Sequence, residues 1–140
     1  MIRQYEENDL ETLIEIWRAA SEVATPFLPA DFIAGEPDNI RNIYIPNAET
    51  WVFEADSTVI GFIALIGNEV GAIFVHPDSQ GQGAGRALMD HAANLRDTIF
   101  LDVFKDNVIG RHFYDLYGFK FDREYVHEQT GHVLVRLNLP

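Results

Sequence analysis

Three glycines alternate in the segment Gln80-Gly81-Gln82-Gly83-Ala84-Gly85-Arg86, where an apolar strand (Ala72 to Val75) and a proline-bounded turn give way to a helix beginning near Ala84. Glycine lets the backbone come close to a ligand, and the first N–H groups of a helix lack partners within it, so the stretch reads as an anion site. The partial positive charge of the helix N-terminus suits a pyrophosphate. Spacing excludes two nucleotide readings. A P-loop requires Gly-Lys-Ser/Thr after four residues, and no lysine occurs between residues 54 and 104; the dinucleotide fingerprint is Gly-x-Gly-x-x-Gly, whereas the order here is Gly-x-Gly-x-Gly.

Asp102 is the one charged residue in the apolar stretch Ile99 to Phe104, and burying a carboxylate without a partner is costly. Of the five histidines, His76 precedes Pro77 at a strand end and reads as structural, His91 and His112 are expected on helix surfaces, and His127 and His132 flank the last turn. No His/Asp/Glu spacing resembles a metal site. The absence of cysteine excludes disulfides, thiolate metal sites and a covalent acyl-cysteine intermediate.

The elements that must position these residues follow from periodicity. Ile2 to Tyr5 reads as a strand, and Asn8 or Asp9 can cap a helix with Leu10, Leu13, Ile14, Trp17 and Ala20 on one face. Pro26 and Pro29 interrupt it, and a second helical segment runs from Asp31 to about Tyr44, closed by Pro46 and Asn47. Residues 50–54, 59–66 and 70–75 predict an antiparallel meander. The helix after the glycine loop carries Ala84, Leu88, Met89, Ala92 and Leu95 on one broad face. It leads to the strand Ile99 to Phe104, whose near lack of polar alternation predicts burial on both faces. A β-α-β crossover makes this strand parallel to the one ending at Val75. A helix from Asn107 to Tyr117, capped by Gly118, and strands at 120–126 and 132–139 complete the chain. The sum is a single α+β domain spanning residues 1–140, with a mixed, mostly antiparallel twisted sheet, flanking helices and one crossover.

Two motifs together resemble the GNAT superfamily of N-acetyltransferases. Gln80, Gly83 and Gly85 fill its coenzyme A loop, Gln/Arg-x-x-Gly-x-Gly/Ala. Asn107, Phe113, Tyr114, Gly118 and Phe119 fill Asn-x-x-Ala-x-x-Phe/Leu-Tyr-x-x-x-Gly-Phe, with Gly110 in place of alanine. The resemblance implies that Ile73, Phe74 and Val75 pair through their backbones with the pantetheine arm. It implies that Gly81, Gln82, Gly83, Ala84, Gly85 and Arg86 hold the pyrophosphate and that Asn107 hydrogen-bonds the cofactor. Tyr114 would protonate the departing sulfur, since an ordinary tyrosine, with a pKa of about 10, holds its proton near neutral pH. A backbone N–H near Val75 would face the oxyanion. Asp102 is the expected general base, because a branch acting on ribosomal-protein N-termini has glutamate followed by valine at the matching position; a hydrogen-bonded structural carboxylate is the competing reading. Phe27, in the loop between the first two helices, is expected to contact the acceptor or to anchor that loop. His127 and His132 lie near where acceptors approach.

The implied activity is direct transfer of an acetyl group from acetyl-CoA to an amine, whether a protein lysine, an N-terminus or a small cationic amine. A catalytically silent acyl-CoA-binding sensor is the alternative. The net charge of −12 opposes nucleic-acid binding and accommodates a cationic acceptor. No apolar run is long enough to span a bilayer and Met1 to Tyr5 has no signal-peptide core, so a cytoplasmic protein is expected, with a homodimer through the C-terminal strands possible.

Overall fold

The computed structural model describes residues 1–140 as one seven-stranded sheet in the order β1-β2-β3-β4-β5-β7-β6. The strands are β1 (Ile2–Gln4), β2 (Glu49–Ala55), β3 (Thr58–Ile66), β4 (Glu69–Val75), β5 (Ile99–Phe104), β6 (Lys120–Val126) and β7 (Val133–Leu139). All neighbouring pairs are antiparallel except β4 and β5. That parallel pair is the crossover expected around the helix α3 (Ala84–Leu95).

Helices cover both faces. On one side, Leu13, Ile14, Ile16 and Trp17 of α1 (Leu10–Ala24) pack with Val52 and Phe62 of the sheet and Ile40. On the other, Leu88, Met89 and Ala92 of α3 close a core with Ile63, Leu65, Leu101, Val103 and Val135, and α4 (Val108–Tyr117) adds Phe113, Tyr114 and Tyr117 at its margin. The i, i+3, i+4 spacing on α1 and α3 is what makes each helix bury one stripe only.

Four local expectations change. Asp9 does not cap α1: its carboxylate accepts from the Glu6 N–H at 2.8 Å and from both terminal nitrogens of Arg3, ahead of the helix. The second helix α2 (Ala30–Asn39) starts directly after Pro29, then widens into a π-turn over Ile40–Tyr44 and a 3₁₀ turn over Ile45–Asn47. Strand β5 is not buried on both faces. Ile99, Leu101 and Val103 face the core under α3, while Phe100, Asp102 and Phe104 are half-buried on the opposite side, where partner side chains cover them without excluding all solvent. His91 is half-buried, its ring 4.3 Å from that of Trp51, because its position on α3 turns it toward β2.

The feature that creates the site is a split in the sheet. Strands β4 and β5 pair only at Glu69 and Phe100, next to a bond from the Phe100 N–H to the Asn68 carbonyl. Beyond it they diverge. The register between β3 and β4 slips between Ala64 and Leu65, so Gly71 is an extra residue on β4, and such a bulge bends its strand. A methyl group on Gly71 would come within 3.3 Å of the Ile66 side chain, which favours glycine at the bend.

Candidate active site

The split opens into a groove of about 640 Å³ that runs from the glycine loop, between β4 and β5, to α1 and α2. Its floor carries Ile73, Phe74 and Val75, which have no ladder partner on the β5 side. At the mouth, Gly81 (φ 84°) and Gly83 (φ 83°) adopt the left-handed conformation that only glycine takes without strain. Nothing lies within 4 Å of where a Cβ would sit on either. The backbone N–H groups from Gly81 to Arg86 donate no hydrogen bond within the protein. Arg86 has no carboxylate partner and rests with its guanidinium 5.5 Å from the Tyr117 ring centroid. A run of free donors, a helix start and an unneutralised cation together fit a diphosphate.

Neighbouring side chains hold this geometry. Gln80 donates through Nε2 to the Val75 carbonyl at 3.1 Å, tying the loop to the end of β4. Gly85 lets α4 approach, with Phe113 already 3.4 Å from where a Cβ would stand. Asn107 caps α4, its Oδ1 accepting from the Gly110 N–H at 2.9 Å. An alanine at position 110 would put its Cβ 2.7 Å from Asn107 Nδ2, so the glycine here and the cap are matched.

Tyr114 lines the same groove, beside Phe113 and Phe119. Its hydroxyl has no hydrogen-bond partner in the protein, and burial pushes its pKa well above the ordinary tyrosine value. The hydroxyl therefore stays protonated and has its donor capacity free.

Asp102 also lines the groove, but its carboxylate is occupied. Arg136, directly opposite on β7, donates to Oδ1 through Nε at 2.9 Å and to Oδ2 through Nη2 at 3.0 Å, and the Tyr125 hydroxyl donates to Oδ2. Burial opposes the charge, yet the bonds from Arg136 and Tyr125 outweigh it and hold the carboxyl below its usual range. The Arg136 guanidinium lies 4.8 Å from the Phe100 ring centroid, a cation–π contact that fixes it further.

Phe27 and His127 stand behind the groove wall rather than on it. The Phe27 ring lies 4.9 Å from His132 and 6.1 Å from Phe104, and His127 lies 5.5 Å from Phe32 and 5.4 Å from Phe104. This aromatic cluster fastens the α1–α2 loop to the end of β5 and to the turn before β7. His127 Nδ1 is also 2.9 Å from the Thr130 hydroxyl. Gln82 is exposed and does not line the groove. Arg136, Tyr125 and Gly71 were not singled out from sequence. A lone cation in the apolar strand Val133–Leu139 mirrors the lone anion of β5, and an isolated glycine inside a strand pattern signals a bulge, so two of the three left a trace.

The family model for the acetyltransferase (GNAT) domain matches residues 46–121, from the start of β2 past α4, the region that builds the split and both motifs. The chain belongs to the GNAT acetyltransferase family. Among GNAT relatives, it is 32% identical over 139 residues to the peptidyl-lysine N-acetyltransferase YjaB of Salmonella typhimurium, covering 99% of this chain and 95% of that protein. It is 30% identical over 120 residues to the peptidyl-lysine N-acetyltransferase YiaC of Escherichia coli, covering 85% of this chain and 82% of that one. The solution structure of apo YjaB from Escherichia coli superposes with a TM-score of 0.89 at 28% identity, covering 99% of this chain and 96% of that one. The mixed sheet with its single parallel pair is the platform of the site, and the protein is an acetyltransferase.

Proposed function

We propose that this acetyltransferase moves an acetyl group from acetyl-CoA to the side-chain amine of peptidyl lysine, by direct attack within a ternary complex. The observation that carries the reading is the continuity of one groove. An unpaired β4 edge runs between a diphosphate-suited loop at one end and a proton-holding tyrosine and an apolar chamber at the other. The two relatives named peptidyl-lysine N-acetyltransferases support lysine as the acceptor.

In this reading acetyl-CoA supplies an activated acetyl thioester. Ile73, Phe74 and Val75 offer backbone groups to its pantetheine arm, and Gly81 to Arg86 take its pyrophosphate. Asn107 serves by capping α4, which keeps Tyr114 directed at the groove. Tyr114 donates its proton to the leaving sulfur, and a backbone N–H near Val75 faces the developing oxyanion. Asp102 holds Arg136 and Tyr125 in place; a carboxylate with both oxygens bonded and a lowered pKa is a poor proton acceptor. Isothermal titration with acetyl-CoA, followed by thiol release with a lysine peptide and a panel of small amines, tests the function. Binding with lysine-dependent release is the expected result. Binding without release by any amine would instead favour a silent acyl-CoA sensor.

A further inference from the structure

The part of the groove walled by α1 and α2 is apolar, with Trp17, Leu28, Phe32 and Ile40 among its walls, and it contains one charged side chain, Glu36. The other two charged residues of the groove already have places: Arg86 stands at the glycine loop, and Asp102 is bonded to Arg136. Glu36 has no cation. Its Oε1 accepts from Asn39 Nδ2 at 3.1 Å and from the Tyr44 hydroxyl at 3.4 Å, and its Oε2 accepts from nothing in the protein. By contrast, Asp38 on the same helix and Glu11 pair with Arg41, and Glu15 and Glu22 of α1 pair with Arg18.

The irregular backbone of this segment produces the arrangement. Pro37 removes a helical N–H inside α2, and Ile40–Tyr44 widens into the π-turn. Helical side chains lean toward the N-terminus, so Tyr44 reaches back to Glu36, eight residues earlier. The half-buried carboxylate, held by two neutral donors on one oxygen, keeps its other oxygen free for a cation. We propose that Glu36 captures the ammonium of the acceptor, while the apolar walls take an aliphatic stem. This assigns the site to unbranched alkylammonium acceptors in preference to polyhydroxylated amines. It rests on the amine-acetylating reading above. Glu36 acts in capture: the ammonium it holds gives its proton to solvent water, and the neutral amine then attacks the thioester.

The test is steady-state thiol release at saturating acetyl-CoA with a blocked lysine peptide, comparing wild type with Glu36→Gln and Tyr44→Phe. Loss of a charge-assisted contact should raise KM for the peptide about 10- to 100-fold in Glu36→Gln, with kcat changed by no more than about twofold. Affinity for acetyl-CoA, measured by titration, should be retained, and Tyr44→Phe should raise KM by about two- to threefold. An unchanged KM, or a fall in kcat at constant KM, overturns the inference, the second by making Glu36 a proton acceptor. Should Glu36→Gln fail to fold, wild type decides: butyltrimethylammonium, which cannot be acetylated, should compete with the peptide where 1-pentanol does not. Equal inhibition by both, or by neither, overturns the proposal. A wild type that binds acetyl-CoA but releases thiol with no amine removes the acetyl-transfer reading, and this inference with it.

Discussion

Tyr114 and Asp102 face the same groove with opposite demands on their protons. Burial keeps the tyrosine hydroxyl protonated, whereas Arg136 and Tyr125 keep the aspartate ionised against the cost of burial. Tyr114→Phe should lower kcat by about 10²- to 10³-fold, the range of a lost general acid, with acetyl-CoA affinity retained in titration. Asp102→Asn should act on stability. It leaves Arg136, whose side chain is 23% exposed, beside a neutral amide, at a cost of about 2 kcal/mol near neutral pH, to be read from the denaturant midpoint. The pH dependence has a definite sign. A carboxyl whose folded pKa is depressed contributes its full stabilisation above the unfolded value of about 3.9 and loses it as pH falls through the folded value. The gap between wild type and Asp102→Asn should therefore close in strong acid. A large loss of turnover with unchanged stability would instead return Asp102 to the role of base. At this scale the glycines and Tyr114 were legible because their spacing forms a motif, and Asp102 was legible as an oddity in an apolar strand. Its meaning was not, because Arg136 lies 34 residues away and only the register of β5 against β7 brings them together.

Elements do the aiming. The turn at Gly83 and the cap at Asn107 set where α3 and α4 begin, and with them the free N–H run and Tyr114. Gly83→Ala forces a side chain into a left-handed residue and should cost about 1 to 2 kcal/mol of stability, measured by chemical denaturation, with weaker acetyl-CoA binding in titration. Helix and strand positions were legible throughout, since hydrophobic period and breaker residues determine them locally. The π-turn at Ile40–Tyr44 was not, because its residues fit an α-helix equally well by pattern, whereas in the structure the Ile45 N–H donates to the Ile40 carbonyl five residues back. Nor was the one-sided exposure of β5. Phe100 and Phe104 are as apolar as the core residues between them; the divergence from β4 leaves Phe104 on the groove wall, while Phe100 packs against the Arg136 guanidinium.

Across the whole molecule, a charge of −12 sets the long-range field. It draws a cationic acceptor in and repels anionic acetyl-CoA, so the two substrates should respond to salt in opposite directions. Raising ionic strength toward about 0.15 M should increase KM for the lysine peptide and decrease KM for acetyl-CoA in steady-state assays. The split sheet has a mechanical consequence. Strands β1 to β4 form one plate and β5, β7 and β6 another, with a single ladder pair between them at Glu69 and Phe100, the core under α3 on one face and the aromatic cluster of Phe27 and Phe104 on the other. A donor lying between β4 and β5, as proposed above, would supply the ladder that the fold leaves out beyond that pair. The acyl donor would then serve as a structural rivet as well as a reactant, joining the two plates into the single sheet that the amine must meet.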